Sequence, residues 1–162
     1  MRKTVLMVWG GWDGHEPRQC VEKVAPVLEA EGFDVRVSDS MEVYADAAVM
    51  NALSLVVPCW TMGEIAPEQE KGLLEAVRNG VGVAGWHGGM CDSFRNNTSY
   101  QFMTGGQWVE HPGGFGDYTV KIFNPEDPIF PGLNTSCMRP GCHHLHLTPP
   151  NKVCRTLIAN SA

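Results

Sequence analysis

Hydrophobic and polar positions follow two different periods over the first ninety residues of the chain. Short apolar runs that are typical of buried strands occupy residues 3–9, 33–37, 53–58 and 81–85. Segments whose apolar residues recur every three or four positions, as on one face of a helix, lie at 17–31, at 41–51 and after 59–65. In the last of these segments, Leu73, Leu74 and Val77 mark the predicted buried face.

Strands that alternate with helices of this length predict a parallel sheet covered by helices on both faces. The predicted fold class is therefore α/β: a three-layer, doubly wound, mostly parallel sheet of the flavodoxin-like kind. Ligands of such sheets bind outside the carboxyl ends of the strands. The loops at 10–16, 59–65 and 86–97 follow predicted strands, so we expect them to share one rim.

The pattern changes after residue 97. Glycine, tryptophan and histidine are dense at 105–114, an alternating run at 117–123 predicts an added strand, and 124–128 predicts a turn. No low-complexity linker and no internal repeat divides the chain, so we expect one domain over 1–162. From about 134 onward there is little periodicity.

Composition and charge exclude some classes of function but do not identify one. A formal charge of −6 argues against a nucleic-acid partner or an acidic membrane surface. No apolar run approaches the roughly 20 residues of a spanning helix, and the apolar run at 3–9 is too short for a signal peptide. We therefore expect a cytoplasmic protein. The six cysteines include no Cys-x-x-Cys pair, which predicts reduced thiols rather than a disulfide framework or a zinc ribbon.

A glycine-rich turn, Gly-Trp-His-Gly-Gly, ends the fourth predicted strand at 85–89. Sharp strand-to-helix turns of α/β folds raise one side chain above the carboxyl edge of the sheet, and flanking glycines permit the unusual dihedrals this needs. The raised residue here is His87. An imidazole exchanges protons near neutral pH, which suits a general acid or base. The alternative is a structural histidine that caps the turn through backbone hydrogen bonds.

Motifs at three places in the chain resemble a known family. They are Gly-Trp-His-Gly-Gly-Met-Cys-Asp-Ser-Phe-Arg at 85–95, Tyr-Gln-Phe-Met-Thr-Gly-Gly-Gln-Trp at 100–108 and His-Pro-Gly at 111–113. With Asn-Pro-Glu-Asp-Pro-Ile at 124–129, they make the chain similar to the trehalose-utilisation (ThuA-like) family up to about residue 133. That family has the fold of the class I glutamine amidotransferases. The resemblance implies a protein of carbohydrate metabolism that acts on trehalose or a keto-disaccharide.

The chain departs from the family pattern in two respects. The family carries a Tyr-Tyr-x-His segment late in the fold, and 142–149 occupies that place with His146 in the position of the histidine. The family also continues through further strands, so we expect 134–162 to be a divergent, truncated tail. Sheet edges exposed by missing strands favour self-association, which predicts a homo-oligomer.

The residue at the turn also separates this chain from the amidotransferases. Their reaction needs a cysteine at the position that His87 occupies, with a downstream histidine and acidic partner. An imidazole does not replace a thiolate as acyl carrier. We therefore predict that the chain does not hydrolyse glutamine.

The predicted fold and the family resemblance together predict a sugar site at the carboxyl edge of the sheet. His87 and His111 are the candidate catalytic residues. The candidate substrate-binding residues are Trp12, His15, Trp60, Gly88, Gly89, Asp92, Arg95, Trp108 and His146. Tryptophan rings stack on sugar faces, and polar side chains bind hydroxyls. Plainer alternatives are core packing for the tryptophans, a helix cap for His15, a water-exposed loop position for His111, and a mutual ion pair for Asp92 and Arg95.

A metal and other functions stay open at this point. His15, His87, His111 and His146 are far apart in sequence, but three converging imidazoles and a water would make a catalytic zinc site. We assign no metal ligand, because no short-spaced motif supports one outside the tail. The glycines at 10–14 lack a dinucleotide fingerprint, so we expect no nucleotide cofactor. The alternatives to a sugar-modifying enzyme are a non-catalytic sugar-binding or assembly module and a zinc-dependent hydrolase.

Overall fold

The structure is a computed structural model that describes residues 2–110, 118–122, 136–138, 144–147 and 156–159. The chain divides into two compact units, Met1–Thr104 and Gly105–Ala162, which are described separately below. The expectation of a single domain over 1–162 stays a prediction.

The first unit alternates strands with helices as the sequence pattern predicts. Its strands are β1 (Thr4–Gly11), β2 (Asp34–Ser38), β3 (Leu55–Thr61) and β4 (Gly82–Val83). Its helices are α1 (Pro17–Ala30), α2 (Ala47–Asn51), α3 (Pro67–Arg78), α4 (His87–Cys91) and α5 (Thr98–Thr104). Short 3₁₀ turns at Asp13–His15 and Met41–Ala45 complete it. None of the helices in the described residues is long and apolar enough to cross a membrane.

The four strands of this unit form one parallel sheet in the order β2-β1-β3-β4. This confirms the predicted α/β fold class, and the order is that of flavodoxin-like sheets. The chain moves to one side of β1 to form β2 and to the other side to form β3. In such a sheet the switch point between β1 and β3 opens a crevice at the carboxyl edge. The register brings Gly11, at the end of β1, opposite Thr61, at the end of β3.

Hydrophobic cores lie on both faces of the sheet because side chains alternate along β1. Val5 and Met7 point to the face covered by α1, where they pack with Val21. Leu6 and Val8 point to the opposite face and join a second cluster of buried residues. That second cluster also includes Tyr44, Met50, Leu53, Val56, Leu73 and Tyr100. Two buried faces explain why β1 is apolar throughout rather than alternating.

Two local features differ from the sequence prediction. The segment 41–51 is not one helix but a 3₁₀ turn followed by α2, because Asp46 interrupts it. The Asp46 carboxylate accepts hydrogen bonds from the Ala48 and Val49 amides, both at 3.0 Å, and so starts a new helix. Helix α5 is absent from the prediction. The Asn97 side chain caps its first turn by accepting from the Tyr100 amide at 2.8 Å.

The second unit contains antiparallel strands. β5 (Gly106–Glu110) pairs with β8 (His144–Leu147). A second sheet has the order β7-β6-β9 and consists of β6 (Tyr118–Ile122), β7 (Ser136–Met138) and β9 (Thr156–Ala159). The strand predicted at 117–123 is confirmed as β6. The turn predicted at 124–128 lies outside the described residues.

Gly72 allows helix α3 to pack closely against the 3₁₀ turn Met41–Ala45. A Cβ on Gly72 would lie 1.9 Å from the backbone oxygen of Tyr44. We expect Gly72→Ala to lower the free energy of unfolding by about 1–3 kcal/mol through overpacking, although alanine favours helices by about 1 kcal/mol. Urea unfolding followed by circular dichroism measures this change. Lys71→Ala is the control, because that exposed side chain makes only a 4.0 Å pair with Glu75. Equal stability of the two variants would contradict the packing argument.

Candidate active site

The three predicted rim loops lie together at the carboxyl edge of the sheet. The Trp12 amide donates to the Thr61 carbonyl at 3.1 Å, which joins the first loop to the second. The Met62 amide donates to the Asp92 carbonyl at 2.7 Å, which joins the second to the third. An isolated parallel bridge between Met62 and Ser93 strengthens that junction. The expectation of one shared rim is confirmed.

Backbone strain is concentrated in the same loops. Four non-glycine residues in the described part of the chain have positive φ, and they are Glu16 (47°), Met62 (60°), His87 (50°) and Phe94 (49°). Such backbones cost of order 1–3 kcal/mol each and cluster at functional sites. At His87 the strained conformation falls on the first residue of α4. The predicted sharp turn therefore exists, and it carries the histidine.

A cleft of about 180 Å³ opens beside this turn. Its lining residues are His15, Pro17, Cys20, Cys59, Thr61, Trp86, His87 and Gly89. The ring centroids of His15 and His87 are 4.9 Å apart, with the rings at 67° to each other. Nδ1 of His15 lies 2.8 Å from Oγ1 of Thr61. Two imidazoles that are 72 positions apart in sequence (87 − 15) thus meet at one cleft.

The glycines after His87 are explained by close packing. A Cβ on Gly88 would lie 2.5 Å from Cε1 of His15, and one on Gly89 would lie 3.2 Å from the Cα of Cys59. Only a glycine at 88 leaves room for the His15 ring at its observed position. Both glycines shape the cleft through their missing side chains. Their predicted contact with substrate stays a prediction.

The predicted tryptophans divide into different environments. Trp12 is 51% exposed, and its ring contacts His15 with centroids 4.7 Å apart. Trp86 lines the cleft. Trp60 instead packs over the backbone, since a Cβ on Gly10 would lie 2.4 Å from its ring. Trp60 Nε1 is buried without a hydrogen-bond partner in the described residues. Packing therefore accounts for Trp60, whereas Trp86 lines the cleft and Trp12 contacts His15, which lines it.

Asp92 and Arg95 bind each other. The Arg95 guanidinium donates two hydrogen bonds to the Asp92 carboxylate, at 2.5 and 2.9 Å. The Asp92 side chain is 5% exposed and the Arg95 side chain 44%. The hydrogen bond to Asp92 raises the pKa of Arg95. The structure therefore has the ion pair that was the alternative to substrate binding for these two residues.

Three other predicted site residues belong to the second unit or lie outside the described residues. Trp108 lies in β5, and His146 lies in β8 opposite Gln107. His111 lies outside the described residues. Among the described residues, no group of three or more His, Cys, Asp or Glu side chains is arranged to hold a metal ion. The zinc alternative stays a prediction.

Thr61, Cys20 and Cys59 line the cleft but were not predicted as site residues. A threonine at the end of an apolar run gives no periodic signal; only its place at the carboxyl end of a strand could have indicated it. Cys59 donates to the Pro17 carbonyl at 3.7 Å. Burial, with a smaller effect from Cys20, raises the pKa of the Cys59 thiol to about 11. Cys59 is therefore a neutral thiol near neutral pH.

Comparison with known proteins identifies the family of the chain and supports its fold. The sequence profile of a family described as ThuA, trehalose utilisation, matches residues 4–161. The chain belongs to the ThuA family. Among solved structures, a ThuA-like protein from Bacteroides uniformis ATCC 8492 is similar, with a TM-score of 0.70 and 14% sequence identity. The match covers 91% of this chain and 62% of that one, and at this identity it concerns the fold alone. No curated protein matches the chain.

The Asp92–Arg95 pair predicts a stability difference between two arginines. Arg95→Ala leaves a buried carboxylate without its partner, so we expect the free energy of unfolding to fall by about 2 kcal/mol or more. Arg18→Ala removes a similar pair with Glu22, at 2.8 Å, in which both side chains are more than half exposed. That change is expected to cost less than about 1 kcal/mol. Chemical denaturation of both variants measures the difference, and equal losses would contradict it.

The raised pKa of Cys59 predicts its reactivity. Alkylation by iodoacetamide requires the thiolate, so the rate at Cys59 should stay low near neutral pH and rise towards pH 11. The folded pKa exceeds the ordinary value of 9.0, so this thiol stabilises the fold below about pH 9 and that contribution is lost between about pH 9 and 11. Mass spectrometry of single peptides measures the modification, with urea-unfolded protein as control. Rapid labelling of folded protein at neutral pH would be inconsistent with a buried neutral thiol.

Proposed function

We propose that this ThuA family chain acts on a carbohydrate, of the trehalose or keto-disaccharide class, at the cleft between His15 and His87. The observation that carries the proposal is the pair of imidazoles at the carboxyl edge of the sheet, with ring centroids 4.9 Å apart and with His87 on strained backbone. The switch point of a doubly wound sheet is the usual ligand site of this fold. The proposed substrate class comes from the family and from the aromatic walls of the cleft.

In this proposal His87 is the general acid or base. Its position on a strained turn fixes its backbone, and its side chain is exposed to the cleft that it lines. It would remove or return a proton at a sugar hydroxyl, a keto group or the adjacent carbon. His15 contacts His87 and would orient the substrate. His111 is kept as a second candidate proton carrier on sequence grounds alone.

The size and walls of the cleft support a ligand with sugar rings. A volume of about 180 Å³ is below the roughly 300–1,000 Å³ of pockets that enclose a drug-sized molecule. In the proposed complex, one ring of a disaccharide occupies the cleft and the other lies at the rim. Trp86 forms part of the wall, and the half-exposed ring of Trp12 stands beside His15. Tryptophan rings are of the kind that stack on sugar rings.

Glutamine hydrolysis is a poor fit to the same geometry. Nucleophilic catalysis by cysteine depends on an available thiolate. Burial raises the pKa of Cys59, one of the two thiols that line the cleft, to about 11. Burial, with a smaller effect from Asp92, also raises the pKa of Cys91 at the end of α4. The residue at the turn itself is His87, so the proposal assigns proton transfer rather than acyl transfer to this site.

The test is substitution of His87 by asparagine. Asparagine tolerates positive φ better than alanine does, so His87→Asn removes the proton carrier with little added backbone strain. General acid–base catalysis contributes typically about 10²–10⁴-fold, so we expect kcat for a keto-disaccharide to fall at least about 100-fold. Affinity measured by isothermal titration should change little, because the wall residues remain. His87→Ala, with the same loss of activity, serves as the second variant.

The same measurements separate an enzyme from a sugar-binding module. Turnover by the wild-type chain that is lost in both His87 variants supports the proposal. Sugar binding without turnover in the wild-type chain would assign the cleft to a binding module. Undiminished turnover in His87→Asn would exclude His87 as the acid or base. Lys71→Ala, on the outer surface of α3, is the control for general effects of mutation.

A further inference from the structure

The buried hydroxyl of Thr61 makes one hydrogen bond within the described residues, and its partner is His15 of the cleft. The residue ends β3 and is 1% exposed. Its Oγ1 lies 2.8 Å from Nδ1 of His15, and the described part of the chain offers this hydroxyl no other hydrogen-bond partner. The direction of this bond decides whether Nδ1 of the His15 ring carries a proton.

Two directions are available to the bond, and they differ in what they leave unsatisfied. If Nδ1–H of His15 donates to Oγ1, the buried Thr61 hydroxyl hydrogen has no acceptor among the described residues. A buried donor without a partner costs about 1–3 kcal/mol. If the Thr61 hydroxyl donates to an unprotonated Nδ1, both groups are satisfied. The second direction is the favoured one.

We propose that Thr61 is a positioning residue that donates its hydroxyl hydrogen to Nδ1 and holds neutral His15 with its proton on Nε2. In this form His15 offers the cleft an N–H donor rather than a basic nitrogen. Taken with the proposed function, on which this division of roles rests, His15 binds a substrate oxygen and His87 alone moves the proton. The two adjacent histidines are then not interchangeable.

The backbone around Thr61 keeps the hydroxyl in place. Its carbonyl accepts from the Trp12 amide at 3.1 Å. Gly11 lies opposite Thr61 in the register, and a Cβ on Gly11 would lie 2.1 Å from the backbone carbonyl oxygen of Thr61. The two strand ends are therefore in tight contact. A β-branched side chain in a strand has restricted χ1. The absence of a side chain at Gly88 leaves the His15 ring its place against the hydroxyl.

Nuclear magnetic resonance of histidine-labelled protein tests the proposal directly. In a long-range ¹H–¹⁵N spectrum of the wild-type chain, His15 should show an unprotonated Nδ1 and a protonated Nε2. The His15 signals are identified by their loss in His15→Gln. Thr61→Val, which keeps the shape but lacks the hydroxyl, should shift the ring towards the Nδ1–H tautomer. Thr61→Ser should restore the wild-type pattern, and Thr104→Val, at another buried threonine, should leave it unchanged.

Kinetics supply the second readout. Loss of one hydrogen bond predicts a fall in kcat of about tenfold in Thr61→Val, with a smaller change in KM and recovery in Thr61→Ser. A wild-type ring with its proton on Nδ1, or a Thr61→Val spectrum identical to wild type, would overturn the proposal. Full activity of His87→Asn would instead refute the proposed function and leave the tautomer result standing. The two failures are therefore distinguishable.

Discussion

The contact between the ends of β1 and β3 is the constraint on which the site depends. Gly11 and Thr61 lie opposite each other in the register, and the Trp12 amide continues the contact by bonding to the Thr61 carbonyl. The approach is so close that no side chain fits at Gly11. From β1 the chain continues to β2 on one side, and from β3 it continues to β4 on the other side. In sheets of this kind a crevice opens at such a point. His15 reaches back to the same threonine through its ring nitrogen.

Much of the fold could be predicted from hydrophobic periodicity, because both faces of the sheet are buried and each helix has one apolar stripe. The meeting of His15 with His87 also follows from the sequence, since parallel strands bring their carboxyl ends to one edge. Thr61 could not be found in this way. Its importance comes from its burial at the end of β3 and from its hydrogen bond to His15. Neither feature produces a periodic pattern in the sequence.

Other local features could not be predicted from the sequence, because competing interactions between neighbouring groups determine them. Asp46 divides a continuous helical pattern, since its carboxylate satisfies amides at the start of α2. Trp60 was indistinguishable from Trp12 in a rim loop, yet it lies across Gly10 and belongs to the packing of the core. For Asp92 and Arg95, the spacing of three was compatible with either role. Burial of the carboxylate favours the mutual pair, because an isolated buried charge is costly.

The third rim loop is held to the end of β3 by several backbone bonds. The Met62 amide donates to the Asp92 carbonyl and the Phe94 amide to the Met62 carbonyl, while the Ser93 hydroxyl donates to the Trp60 carbonyl. These bonds fix the path of the chain around α4 without using the side chain of residue 87. A substitution at residue 87 therefore removes the imidazole without breaking any of these three bonds, which other residues make.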